Sequence, residues 1–293
     1  MSRASLRQAL QAAQATGLDR LDAQLLLLHA LGKPDSDRAW LLAHDDDPLE
    51  EAVASAFSQL QLRRVAGEPL AYIVGYKEFF GLRLKVDARV LVPRPDTETL
   101  VSWALDVLQA TAPDATLRVL DLGTGSGAVA IAVAHSLQGA GRAACVLAVD
   151  ASAGALAVAH ENTQHLQVKI EFIESYWLQK VSGYFDLIAS NPPYIAQADP
   201  HLAALRHEPL QALAAGMDGL DDIREIIDQA PAHLKAGAWL LLEHGYDQSG
   251  RVLELLSARG FKQVQSRQDL AGIARCTGGQ WPGESRVEAK SKP

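Results

Sequence analysis

Over the first 75 residues apolar side chains recur at three- and four-residue spacing, which predicts helices. "SLRQALQAAQATGL" keeps the pattern and stops near Gly17, and "DRLDAQLLLLHALG" repeats it as far as Gly32. "DDDPLEEAVASAFSQLQLRRVAGEP" places Asp47 as an N-cap, Pro48 at the first helical position and acids in the first turn. Short helices with short connectors make a small bundle, here a domain over 1–75. At Tyr76 the period changes to about two. "YKEFFGLRLKVDARVLV", with Gly81 in its middle, predicts a β-hairpin that links two domains over 76–92. In "PRPDTETLVSWALDVLQA", Pro93 and Pro95 bracket Arg94, and Asp96 or Thr97 is placed to cap the next helix.

From about residue 116 strand and helix patterns alternate. The strands are "LRVLDLG", "ACVLAVD", "KIEFIES", "YFDLIAS", "AWLLLEHG", "FKQVQSRQD" and "IARCTGG". Between them lie the helical runs "GAVAIAVAHSL", "AGALAVAHENTQHL", "GLDDIREIIDQAPAHL" and "QSGRVLELLSARG". Such alternation predicts a doubly wound α/β domain, over 93–281, with a mostly parallel sheet. The last two strands have no helix between them, which permits an antiparallel pair. The polar run "PGESRVEAKSKP", 282–293, reads as a disordered tail.

Composition narrows the classes. The 293 residues are 48% hydrophobic and 21% charged, as in an ordinary globular protein of two domains. A net charge of -8 disfavours bulk electrostatic binding of duplex nucleic acid, which relies on many Lys and Arg contacts to phosphate. Cys145 and Cys276 lie in apolar strand runs and read as core filler in a reducing compartment. No cysteine or histidine spacing suggests a metal site. "MSRASLRQAL" lacks the apolar stretch of a signal peptide, and "LLLLHALG" is too short to span a bilayer. A cytoplasmic monomer without membrane contact is the expectation.

"VLDLGTGSGAVAIAVA" is a strand, a glycine-rich turn and a helix. Gly123, Gly125 and Gly127, with Thr124 and Ser126 between them, let the backbone turn tightly and a ligand approach closely. Gly123, Gly125 and Ala128 also satisfy the dinucleotide pattern G-x-G-x-x-G/A. Asp121, two residues upstream, argues against a pyrophosphate and suits a cofactor with an amino group and a sulfonium charge, such as S-adenosyl-L-methionine. Asp150, closing the next strand, can accept from two ribose hydroxyls, or cap the next helix. Trp177, after the third strand, can line an adenine pocket or simply pack.

The run Asn191-Pro192-Pro193-Tyr194 ends the fourth strand, where open α/β sheets bind ligands. Methyl transfer to a planar NH2 group is hard because its lone pair is delocalised. Two fixed acceptors on its hydrogens would orient it and favour pyramidal geometry. The Asn191 side-chain oxygen and the Pro192 carbonyl can serve, held rigid by prolines that offer no donor. Tyr194 can lie against the planar group.

"NPPY" after "DLGTGSG" resembles the methyltransferases of planar amino groups, which include DNA adenine-N6 and protein glutamine-N5 enzymes. "LVPRPDTETLV", "LDLGTGSGAVAIA", "SNPPYI", "HEPLQAL" and "LLLEHG" closely resemble the HemK/PrmC family, the peptide chain release factor glutamine methyltransferases, over about residues 5–281. The resemblance implies a Rossmann-like class I methyltransferase with a seven-stranded sheet, a helical substrate-recognition domain and a hairpin linker. It implies methyl transfer from S-adenosyl-L-methionine to the glutamine of the Gly-Gly-Gln loop of class I release factors. Residues 123–127 would hold the cofactor, with Asp150 on the ribose and Trp177 near the adenine. Asn191 to Tyr194 would be the catalytic and substrate-binding motif, with Asn191 also beside the cofactor. Many relatives carry an acid before the tryptophan; this chain has Tyr176. The alternative reading is an adenine-N6 methyltransferase on nucleic acid, which would use the same acceptors on a flipped base. The chain also contains its own Gly278-Gly279-Gln280, read as coincidence.

Overall fold

The computed structural model describes residues 4–112 and 115–283. It divides into two compact units, Met1–Tyr76 and Lys77–Pro293. The predicted tail lies outside the described residues but for Pro282 and Gly283.

The first unit contains α1 (Leu6–Ala15), α2 (Arg20–Ala30), α3 (Arg38–Ala43), α4 (Glu51–Val65) and α5 (Leu70–Val74). A reciprocal box opens α1: Ser5 Oγ accepts from Gln8 N, and Gln8 Oε1 accepts from Ser5 N. Asp19 caps α2 by accepting from Leu21 N. Leu6, Leu26, Leu27, Leu41, Phe57 and Ile73 form one buried core. The Arg64–Asp22 pair, at 2.6 Å, ties α4 to α2. Asp47 and Pro48 do not open α4, contrary to their sequence pattern. Leu49 N donates to Ala4 O and Leu6 N to Asp47 O. These bonds hold the segment extended, bridged to Ser5, and the helix starts only at Glu51.

The hairpin pairs β1 (Tyr76–Phe79) with β2 (Leu82–Lys85). It is more than a connector. Phe79, Leu82 and Leu84 belong to the core of the second unit. Lys85 N donates to Asn162 Oδ1, while Asn162 Nδ2 donates to both Lys85 O and Ser126 O. A 3-10 turn, Pro95–Thr97, leads into α6 (Glu98–Gln109). Neither Asp96 nor Thr97 caps α6 with its side chain. Asp96 pairs with Arg275 at 3.1 Å, and Thr97 is buried with its hydroxyl at Asn191.

The remaining elements are β3 (Leu117–Leu122), α7 (Ala128–Gly139), β4 (Ala144–Asp150), α8 (Ala153–Leu166), β5 (Glu171–Glu174), β6 (Phe185–Ser190), α9 (Asp221–Gln229), β7 (Leu234–Glu243), α10 (Ser249–Arg259), β8 (Lys262–Gln268) and β9 (Ala274–Gln280). They build a seven-stranded sheet of order β5-β4-β3-β6-β7-β9-β8. β9 runs antiparallel to both its neighbours, and the other pairings are parallel. The hydrophobic runs of the central strands fit burial on both faces, in two clusters. α9 stops at Gln229, earlier than its pattern suggests, because Pro231 lies in the 3-10 turn Ala230–His233.

The chain leaves β3 for β4 on one side and returns through β6 on the other, so the sheet reverses direction of winding between β3 and β6. Leu122 faces Ser190 at the carboxyl ends of that pair, and Ser190 Oγ donates to Leu122 O at 2.7 Å. The glycine turn and the Asn-Pro-Pro-Tyr run therefore leave the sheet side by side.

Two expectations need correction or explanation. Cys276 is buried, but Cys145 is exposed, at the second position of β4 where the strand has not yet entered the core. Gly278 is explained by packing: a Cβ there would collide with Leu241 and the Leu240 carbonyl. Gln280 Nε2 donates to Gly237 O, and its Oε1 accepts from Gln263 Nε2, so the internal Gly-Gly-Gln is a hydrogen-bonded strand end.

Candidate active site

A cavity of about 610 Å³ opens at the carboxyl ends of the strands. Residues 123–126 of the glycine turn, the end of β4, the segment after β5, Asn191 and Pro193 line it, together with Arg89–Leu91, Pro93, Arg94, Thr97 and parts of the segment 209–214.

All three loop glycines have left-handed φ: +70° at Gly123, +55° at Gly125 and +84° at Gly127. A Cβ at Gly127 would stand 2.8 Å from Ile131 Cδ1 and 3.3 Å from Ala159 Cβ, so that glycine seats α7 against α8. A Cβ at Gly125 would meet no protein atom within 4 Å. Gly125 is a cavity-lining residue, so it leaves room for a ligand to approach the backbone. Gly123 N and Thr124 N both donate to Val149 O, at 2.8 and 2.9 Å, fixing the turn to β4.

Asp121 lies beneath this turn, 2% exposed. Its Oδ2 accepts from Thr124 Oγ1 at 2.6 Å and from Ala130 N at 3.2 Å. Burial nevertheless raises its pKa to about 7, so its negative charge is weaker than the sequence suggests. Asp150 is not a helix cap; Ser152 caps α8. Asp150 Oδ2 accepts from Gly125 N at 2.8 Å, and Oδ1 from Ser152 N at 2.9 Å. Burial raises its pKa too, against those backbone donors.

Trp177 holds a left-handed φ of +43° and packs its ring against Gly123, 3.3 Å from where a Cβ would stand. Its Nε1 donates to Asp222 Oδ1 at 3.1 Å, and Tyr176 Oη donates to the same oxygen at 3.2 Å. The carboxylate of Asp222, in the first turn of α9, thus lines the cavity beside Tyr176 and Trp177.

Asn191 Nδ2 donates to Thr97 Oγ1 at 3.2 Å. With the nitrogen end so engaged, the oxygen end remains for a ligand. Asn191 and Pro193 line the cavity, whereas Pro192 is buried and Tyr194 turns its hydroxyl to Glu243 Oε1 at 3.4 Å.

The segments "LVPRP" and "HEPLQAL" meet at Glu208. Its buried carboxylate accepts from Val92 N at 3.1 Å and from Arg94 at 2.6 Å. Glu208, Asp222 and Glu243 are the site neighbours that local sequence patterns do not single out, and Thr97 is one they read as a helix cap. The strongest available signal was that Glu208 and Glu243 fall within the family-like stretches "HEPLQAL" and "LLLEHG". Among the described residues no cluster of three His, Cys, Asp or Glu side chains is placed to hold a metal. Nor is any helix among them long and apolar enough to cross a membrane.

Comparison with known proteins adds independent findings. Residues 3–75 match the PrmC N-terminal domain, and residues 104–216 the methyltransferase small domain. The chain is 48% identical over 267 residues to the release factor glutamine methyltransferase of Bordetella pertussis, covering 90% of this chain and 95% of that protein. It is 46% identical over 279 residues to the one from Xylella fastidiosa (strain Temecula1), covering 94% and 98%. A methyltransferase from Pyrococcus furiosus shares the fold at TM-score 0.51 and 19% identity, covering 78% of this chain and 100% of that one. The hMettl16 catalytic domain, in complex with MAT2A 3'UTR hairpin 6, does so at TM-score 0.54 and 17% identity, covering 81% and 84%. On the extent and identity of the full-length matches, the chain belongs to the release factor glutamine methyltransferase family.

Proposed function

We propose that this protein transfers a methyl group from S-adenosyl-L-methionine to the side-chain amide nitrogen of the glutamine in the Gly-Gly-Gln loop of class I release factors. The observation that carries the reading is the Asn191 amide, tied at its nitrogen end to Thr97 at the wall of the cavity.

The residues present fit the cofactor. The open space over Gly125 admits a ligand close to backbone, and Asp150 offers a carboxylate whose oxygens each keep a lone pair for a ribose hydroxyl. Trp177 supplies an aromatic wall for the adenine, and Asp222 an acceptor for its amine in place of the acid that Tyr176 displaces. Bound there, the cofactor supplies a methyl group on a cationic sulfur.

The protein's own part is to hold the amide. Asn191 Oδ1 accepts one N–H of the substrate glutamine, and the Pro192 carbonyl accepts the other. With both hydrogens held, the nitrogen lone pair is aimed at the methyl and resonance with its carbonyl is weakened. S-adenosyl-L-methionine bound beside Asn191 would supply the methyl that the held nitrogen accepts, and the proton that nitrogen then sheds would pass to solvent water. No strong base is required, because that proton becomes acidic only as the new bond forms. The prolines fix φ, so the acceptors need little reorganisation.

The helical unit, 1–75, serves as the recognition domain for the release factor. The protein acts in the cytoplasm as a monomer, without direct contact to nucleic acid, a reading the net charge of -8 supports. The deciding experiment incubates the full chain and labelled cofactor with a purified class I release factor and with its loop Gln→Ala variant. Label should enter only the unmodified factor. Equal label in the Gln→Ala variant, or label in DNA or RNA but not in the factor, would overturn the assignment.

A further inference from the structure

Gln248 immediately precedes α10 and is buried, and both ends of its side-chain amide are engaged. Its Oε1 accepts from Gly245 N at 2.8 Å. Its Nε2 donates to Tyr194 O at 3.0 Å and to Asp218 O at 3.3 Å. One amide thus uses its oxygen and both N–H donors on three backbone groups. That fixes its orientation. Turned over, it would set its oxygen against two carbonyls and its NH2 against the Gly245 N–H.

The two carbonyls belong to opposite sides of the site. Tyr194 closes the Asn191–Tyr194 run. Pro192 and Pro193 carry no N–H, so they offer no backbone donor to anchor that run, and its ends must be held instead. At the entry, Ser190 Oγ donates to Leu122 O and Asn191 Nδ2 to Thr97 Oγ1. At the exit, Ile195 N donates to Leu213 O and Ala215 N to Ile195 O, both at 2.9 Å, while Gln248 takes the Tyr194 carbonyl. Asp218 lies in the turn that leads into α9, the helix whose Asp222 accepts from Trp177 and Tyr176. Gly219 shows how closely this turn meets the run. Its φ is +74°, and a Cβ there would stand 2.2 Å from Tyr194 O and 2.8 Å from Gln248 Nε2.

We propose that Gln248 is a positioning residue for methyl transfer: by holding the Tyr194 and Asp218 carbonyls on one amide, it sets the acceptor run for the glutamine against the helix that carries Asp222. This rests on the roles of Asn191 and Pro192 given above. Gln248 is not a cavity-lining residue, so it acts through the groups it holds. Without its two donors the exit of the run loses a fixed point, and displacement of reacting groups by about 1 Å can cost about 10²-fold in rate.

The test uses the full chain, a purified class I release factor and the variants Gln248→Glu, Gln248→Met and Val252→Ala. Gln248→Glu keeps an acceptor for Gly245 N and removes both donors. Gln248→Met removes all three bonds at similar size. Val252, one turn along α10, is fully buried, so Val252→Ala destabilises the same helix without touching those bonds. Both Gln248 variants should lower kcat by about 10- to 100-fold at saturating cofactor and release factor. S-adenosylhomocysteine affinity should stay within about threefold of wild type, because Asp222 keeps its bonds to Trp177 and Tyr176. Val252→Ala should lower Tm and leave kcat within about twofold of wild type.

A second readout needs no substrate. The chain has two asparagines, Asn162 and Asn191, so ¹⁵N-asparagine labelling reports two side-chain amides. The Asn191 signal should shift in both Gln248 variants and the Asn162 signal in neither; Val252→Ala should move neither signal. Because it uses no release factor, this readout separates failure of the positioning role from failure of the substrate assignment. If Gln248→Glu fails to fold, Gln248→Met carries the comparison with Val252→Ala. Wild-type kcat in a folded Gln248 variant, an equal kcat loss in Val252→Ala, or an Asn191 signal indifferent to Gln248 would each overturn the proposal.

Discussion

Replacing Asp150 by Asn isolates the carboxylate that faces the cavity. Both oxygens accept a backbone N–H, Oδ2 from Gly125 at 2.8 Å and Oδ1 from Ser152 at 2.9 Å. Each retains one lone pair, enough for two ribose hydroxyls. In Asp150→Asn one oxygen becomes an NH2 group, which cannot accept from the backbone N–H and can meet a ribose hydroxyl only as an uncharged donor, losing the charged acceptor. The lost backbone bond weakens free and bound protein alike, so it lowers stability rather than affinity. The lost ligand bond is one to a charged acceptor, worth about 1.5–3 kcal/mol. Calorimetric titration with S-adenosylhomocysteine should therefore show a Kd raised about 10- to 150-fold. An analogue lacking the 2′ and 3′ hydroxyls should bind both proteins alike. If Asp150→Asn keeps the wild-type Kd, or weakens the deoxy analogue equally, Asp150 does not hold the ribose.

Other perturbations follow from the same geometry. Glu208→Ala strands the Val92 N–H and should cost about 1–3 kcal/mol in urea unfolding, with little added by the half-exposed Arg94; unchanged stability would deny that Glu208 joins the two segments. Gly127→Ala, at φ +84° and with its Cβ 2.8 Å from Ile131 Cδ1, should lose more stability than Gly125→Ala, whose Cβ meets open space; thermal melts giving the opposite order would refute the packing role. Asp121 holds its proton more tightly folded, with a pKa of about 7, than unfolded, near 3.8. Its contribution is thus full below about pH 4 and lost as pH rises through about 7. Between pH 5 and 8 the wild-type Tm should fall more steeply than that of Asp121→Asn, and parallel curves would contradict the raised pKa.

The elements most legible in the sequence were those set by strong local periodicity. The runs "ACVLAVD" and "AGALAVAHENTQHL" coincide with β4 and α8 residue for residue. Gly123 and Gly125 with Asp121 and Asp150 could be read as a cavity wall because strand-turn-helix order already places them at strand ends, whereas Gly127 packs α7 against α8. What escaped is what long-range contacts decide. Asp47 and Pro48 carry a sound helix-start signal, overridden by backbone bonds to the segment at Ala4–Leu6. Asp96 and Thr97 looked like caps, but a salt bridge to Arg275 and a hydrogen bond from Asn191 take their side chains elsewhere. Asp222 meets Trp177 across 45 residues of chain, and Glu208 meets Arg94 across 114, so no local pattern could pair them. The contact of the half-buried Tyr194 hydroxyl with Glu243 depends on β7, which the motif itself does not contain.

The central claim is that Asn191 presents an acceptor to a glutamine amide beside a bound methyl donor. Its most direct test is the rate of methylation of the release factor's loop peptide, followed by mass spectrometry, for wild type and Asn191→Ala, with S-adenosylhomocysteine affinity measured on both. A single methyl should appear on the loop glutamine with wild type. With Asn191→Ala it should appear roughly 10²- to 10³-fold more slowly, at unchanged affinity. Methylation at another residue, a near-wild-type rate in Asn191→Ala, or a loss of affinity equal to the loss of rate would contradict it.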